Sequence, residues 1–87
     1  MRKSINTPNE NIDAMDIKAW SIDAGNIKAR DIDASNINAS DIDACNIKAW
    51  DIDALTITIK DGCKITCLSL KCSNRQELID AGKVIFK

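Results

Sequence analysis

Residues 12–59 read IDAMD-IKAWS-IDAGN-IKARD-IDASN-INASD-IDACN-IKAWD-IDALT-ITI. Ile returns at every fifth position from Ile12 to Ile57, and Ala follows each of the first nine by two places, from Ala14 to Ala54. The residue before each Ile is Asn, Asp, Ser or Thr. A period of five is wrong for an α-helix. At about 100° per residue, five residues turn the direction by about 140°, and ten Ile would spray around the axis. Within a unit, though, Ile and Ala are two apart, the spacing that puts both on one face of a strand. The next Ile is three further on, which demands a bend. Short strand, bend, short strand is a chain coiling around a filled axis, with Ile and Ala pointing in and the other three positions pointing out.

This unit resembles the repeat of the pentapeptide-repeat family, with an I-x-A variant of the motif. The resemblance covers residues 12–59. It implies an all-β fold, a right-handed quadrilateral β-helix with four five-residue faces per coil, here about three to four coils. The family pattern places a small residue two before a large one, whereas here Ile precedes Ala. Either the inward roles are exchanged or the bend has a different phase.

The rest of the chain divides around this core. Residues 1–11 form an N-terminal arm or cap, residues 12–59 the β-helix, and residues 60–87 degenerate final coils and a C-terminal cap. In that last segment the triplet persists at Ile65-Thr66-Cys67, Leu70-Lys71-Cys72, Ile79-Asp80-Ala81 and Val84-Ile85-Phe86. Asp61-Gly62 is a turn signal. The closing element is a hairpin around Asp80-Ala81-Gly82 or, alternatively, a short helix opening at Ser73 with Gln76 as capping-box partner and Gly82 at its end. Caps are needed because the last coil of a solenoid exposes unpaired backbone and an apolar axis.

With twenty residues per coil, Asp13, Asp31, Asp33, Asp51 and Asp53 fall on one face as an acidic stripe, and Lys28, Arg30 and Lys48 on another. Stacking Asp on Asp about 4.8 Å apart is unfavourable, and an odd number of units per coil would put Asp over Lys instead. Three readings of the stripe compete. It is a solvated face; a row of carboxylates imitating phosphates, as in family members that mimic DNA and inhibit gyrase; or a divalent cation site between Asp31, Asp33, Asp51 and Asp53. Trp20 and Trp50 occupy outward corner positions, where Trp is unusual and enriched at binding hot spots. The twenty-residue coil puts Trp50 over Arg30, in reach of a cation–π contact, Trp20 beside Ser40, and Met15, Ser35 and Leu55 in one column.

Composition narrows the chemistry. The chain has 87 residues, one core's worth, with a formal charge of −1 and no His. That removes His-based triads and the commonest metal ligand. No phosphate-binding glycine loop or nucleophile–base set is present, and carboxylates on a convex surface lack the desolvated setting of acid–base catalysis. No enzyme is expected, and no cofactor or metal. Cys45, Cys63, Cys67 and Cys72 do not have the spacing of a zinc ribbon or finger. Cys67 and Cys72 fall in the inward small-residue column as buried hydrophobes, and a structural disulfide is disfavoured by the cytoplasmic setting expected from the absence of an apolar leader. The expectation is a non-catalytic protein-interaction module with a protein partner, self-association among the candidates, and no direct nucleic-acid or membrane binding. The alternative is a small acidic nucleic-acid mimic that inhibits a DNA-handling enzyme, of a size and style that would suit a phage-encoded antagonist of host defence.

Overall fold

In the computed structural model of the chain, residues 3–7 and 10–86 are described. Strands β1 (Lys3–Thr7), β2 (Ile12–Asp13), β3 (Asp16–Ala24), β4 (Asn26–Lys28), β5 (Asp31–Asp33), β6 (Asn36–Ala44), β7 (Asn46–Lys48), β8 (Asp51–Ile59), β9 (Ile65–Cys67) and β10 (Ser69–Lys71) are followed by helix α1 (Arg75–Asp80) and strand β11 (Val84–Phe86). Every pairing is parallel, and the strands form a solenoid of about five stacked coils. The all-β solenoid expected from the five-residue period is the observed architecture.

The number of faces is not the expected four. Ile17 pairs with Ile32 and Ile32 with Ile47; Ile22 pairs with Ile37 and Ile37 with Ile52. Each step is 15 residues, so a coil contains three units and the cross-section is a triangle. Face A stacks Ile12, Ile27, Ile42 and Ile57. Face B stacks Ile17, Ile32, Ile47, Ile65 and Val84. Face C stacks Ile5, Ile22, Ile37, Ile52 and Leu70.

Outward charge shows why three units fit this sequence better than four. Directly opposed residues on neighbouring strands interact most, and like charges there are destabilising. The triangular register sets Asp13 against Lys28, Lys28 against Asp43, Lys18 against Asp33 and Asp33 against Lys48. Four units would have put Asp33 between Asp13 and Asp53. One like pair remains, Asp16 against Asp31, and Asp31 also accepts from Nδ2 of Asn46 at 3.1 Å.

Inside, every Ile from Ile17 to Ile57 and every Ala from Ala19 to Ala54 is buried. Both therefore point inward, as the two-residue spacing requires. Three branched side chains per layer meet at the axis while the Ala methyls fill the space beside the corners, a continuous apolar column with no buried polar side chain among the described residues.

The two ends differ. At the N-terminal end β1 pairs with β3 and supplies one further face, with Ile5 half-buried over Ile22. Pro8 and Asn9 of the arm lie outside the described residues. At the C-terminal end the period lengthens, with Ile47 paired to Ile65, 18 positions on. The three extra residues form the turn at Asp61-Gly62, where Gly62 has φ of 84°. The closing element is the short helix and not the hairpin, so Ile79-Asp80-Ala81 does not form a repeat triplet. Leu78 of α1 is buried against the axis. Gly82, with φ of 72°, ends the helix, and β11 returns parallel to β9. The helix lacks the expected capping box. The Ser73 hydroxyl donates to the Leu55 carbonyl at 2.6 Å instead. The side chain of Asn74 accepts from the Ile57 amide at 3.1 Å and donates to the Ile57 carbonyl at 2.6 Å. It thereby does for face A what the backbone of a further strand would have done.

Candidate interaction surface

Three outward positions per unit remain after Ile and Ala turn in, and the 15-residue coil decides which neighbours each acquires. The five aspartates do not form a row. Asp13 lies on face A against Lys28, Asp31 and Asp33 on face B, and Asp51 and Asp53 on face C against Asn36 and Asn38. Lys and Asn separate them, and Lys71 stands over Asp53. The geometry on which the phosphate-mimic reading rested is absent. The cation reading loses its site by the same step, since Asp31 and Asp33 are on a different face from Asp51 and Asp53. No group of three or more His, Cys, Asp or Glu is placed to hold a metal among the described residues.

The corner residues also regroup. Ser35 donates its backbone N–H to the Trp20 carbonyl, Trp50 to Ser35 and Leu68 to Trp50, at 2.9–3.0 Å. Trp20, Ser35, Trp50 and Leu68 therefore form one column at the corner between faces B and C. All three large members are exposed, Trp20 by 53%, Trp50 by 61% and Leu68 by 59%. Arg30 is not beneath Trp50. It stands in another column, between Met15 and Cys45, and among the described residues the cation–π contact is Arg75 over Phe86 at 5.3 Å. Leu55 sits with Ser40 and Ser73 at the third corner, apart from Met15 and Ser35.

Between the tryptophans, the small Ser35 leaves a gap. An open groove of about 400 Å³ runs there, lined by Trp20, Ser35, Trp50 and Leu68 and by Asp33 and Lys48 of face B. A second shallow depression continues it across face B past Asp16, Asp31, Asn46 and Lys64. Aromatic edge and charged sheet face thus form one continuous surface. Sequence reasoning singled out both tryptophans but set Lys48 on a separate basic face and Ser35 in a column with Met15 and Leu55, and missed Leu68 and Thr66, because a twenty-residue coil scatters them. The signal that would have gathered them was the unfavourable stacking of Asp on Asp.

The cysteines follow two fates. Cys45 and Cys63 form a disulfide, which the sequence reading had disfavoured. Cys63 comes 18 residues after Cys45, one coil plus the three-residue insertion, and so arrives directly above it. Cys67 and Cys72 are free, as expected of small inward residues, with Cys67 buried and Cys72 half-buried. Burial pushes both thiols above the ordinary value, Cys67 against the opposing pull of the Arg75 charge, and Cys72 against a backbone hydrogen bond at Asn74 and the same charge.

No family model, curated protein or solved structure matches the chain. What the fold defines is a class, the parallel β-solenoids of stacked coils. No helix among the described residues is long and apolar enough to cross a membrane.

Proposed function

We propose that the chain is a non-catalytic protein-interaction module, a short rigid prism that presents side chains at fixed spacing. One observation carries this reading: Trp20, Trp50 and Leu68 are aligned on a single corner, exposed, and joined to a groove that opens on a charged face. Exposed Trp around a cleft is the composition of a binding hot spot, where a large apolar side chain enters a partner's pocket while a polar rim excludes water. Fixing it on a stack of parallel strands removes the ordering cost that a loop-borne Trp would incur on binding. The interleaving of Asp with Lys on faces A and B, and with Asn on face C, favours partners matched by shape and paired charges over polyanion-binding enzymes.

The disulfide also bears on where such a module works. A Cys45–Cys63 bridge persists in an oxidising compartment and is rare in a reducing cytosol. We therefore place its work outside the reducing cytoplasm that the sequence had suggested.

The test is affinity capture from the native source with the parent chain, Trp20→Ala and Trp50→Ala, each checked by circular dichroism for the strand signature. The expected result is that each variant keeps its fold and loses most of the captured protein. An unchanged set of partners with both variants would overturn the reading.

A further inference from the structure

Resting on the interaction-module reading, we propose that one partner of face B is face B of a second copy of this chain, in an antiparallel two-fold dimer. The argument is one of self-complementarity. An isologous contact requires that a single rotation bring every residue of the patch against a suitable partner. Place the two-fold axis along the strand direction of face B, midway between the Ile32 and Ile47 layers. The rotation reverses the solenoid axis and leaves position along the strand unchanged, so each layer meets its mirror in order.

Under that rotation Asp33 meets Lys48 of the second copy, and Lys48 meets Asp33. Asp16 meets Lys64, Asp31 meets Asn46, and Lys18 meets Thr66. These assignments follow from the observed register, which stacks Asp16, Asp31, Asn46 on one line and Lys18, Asp33, Lys48, Thr66 on the next. No like charges are opposed. At the corner the same rotation sets Trp50 against Ser35 of the second copy and Ser35 against Trp50, while Trp20 meets Leu68. A large side chain enters the gap left by a small one, twice, and the groove between the tryptophans is the hole that the opposing Trp50 fills. Shifting the axis by half a layer, onto Ile47, would oppose Lys48 to Lys48 and Trp50 to Trp50. Charge and shape therefore select the same axis independently.

Size sets the strength. Four layers about 4.8 Å apart, crossed by units of five residues at about 3.3 Å each, give a contact of roughly 300 Å² per copy. A standard interface covers about 800 Å² per partner, so this pairing is weak and depends on protein concentration. Charge matching acts here mainly by setting orientation and excluding wrong registers.

The decisive experiment exploits the reciprocity of the Asp33–Lys48 contact. D33K places Lys at both positions, and K48D places Asp at both. Each variant alone would oppose like charges across the axis, whereas a mixed pair restores both contacts. In sedimentation velocity at rising concentration, the parent is expected to move from the 9.6 kDa monomer toward twice that mass. Each variant is expected to stay monomeric, and an equimolar mixture to recover dimer. Changes within one chain cannot produce recovery on mixing. Trp50→Ser, at an exposed position, supplies a second variant that should also stay monomeric if a charge variant folds poorly by circular dichroism.

A parent that remains monomeric at the highest concentration, variants that dimerise like the parent, or a mixture that stays monomeric would each overturn the dimer. The interaction-module reading fails separately, through unchanged capture by Trp20→Ala and Trp50→Ala.

Discussion

The regular coils from Ile17 to Ile57 and the closing segment from Lys60 to Phe86 hold the same axis by different means. In the coils no single residue is special: each layer repeats Ile and Ala on three faces, and its backbone bonds go to the layers on either side. In the closing segment nearly every contact is unique. A disulfide seats the insertion, Lys83 reaches the Ile59 carbonyl at 2.7 Å, the Asn74 side chain replaces a strand and Leu78 closes the apolar column. The difference teaches that a solenoid interior is specified by period, and its end by individual side chains that finish what the period leaves open.

The largest test of this comparison is a core deletion in the middle of the stack. Ile42 is 1% exposed and contacts layers above and below. Ile42→Ala should cost about 2–5 kcal/mol, since neighbours in a stacked column cannot collapse into the gap without breaking register. Urea unfolding should show a single transition shifted to lower denaturant. A loss below about 1 kcal/mol would mean that the axis is loosely filled.

Next in size is the disulfide. Closing a loop of 18 residues between Cys45 and Cys63 restricts the unfolded chain by about 3 kcal/mol on the chain-entropy account. Cys45→Ser with Cys63→Ser should lower the unfolding free energy from urea titration by that amount, with dichroism of the folded state unchanged. If instead strand signal is lost under native conditions, the bridge holds the closing segment onto the coils and does more than restrict the unfolded chain.

Asn74→Ala sharpens the comparison at a single residue. It removes the acceptor for the Ile57 amide and the donor to its carbonyl in a part-buried setting. Each loses an intramolecular partner, and the expected cost is about 1–3 kcal/mol. The same substitution at the outward, exposed Asn38 should change stability by less than about 0.5 kcal/mol. Hydrogen exchange at the Ile57 amide is the direct readout and should accelerate only in the Asn74 variant.

How far the sequence could be read follows the same division. Ile and Ala at offsets of zero and two made the inward set, the strand character and the coiling legible, because each repetition restates them. The number of faces was not stated by Ile and Ala, which look alike at 15 and at 20. It was stated only by the outward positions, where Lys18, Asp33 and Lys48 alternate so that an odd number of units avoids stacked Asp. Taking four faces from the resemblance carried that error into the acidic stripe and into the neighbours of Trp50. The closing helix was legible as one of two readings through Ser73 and Gly82. The role of Asn74 was not, because a side chain that substitutes for backbone leaves no periodic trace. The disulfide needed both the true coil length and the three-residue insertion before Cys63.

The smallest expected effect concerns the free thiols of the closing segment. Burial favours the neutral thiol of Cys67 and Cys72 and raises their pKa in the folded chain. Above the unfolded value, near 9.0, the unfolded chain therefore binds fewer protons at these sites than the folded one. Stability must then fall as pH rises through that range and stay flat with respect to these groups below it. Urea midpoints between pH 7 and pH 10 should show the decline, and Cys67→Ala should remove part of it. The Cys45–Cys63 pair does not titrate, so the effect isolates the small-residue positions that the last coil borrows from the Ala column. A slope equal in parent and variant would leave Cys67 a packing residue only.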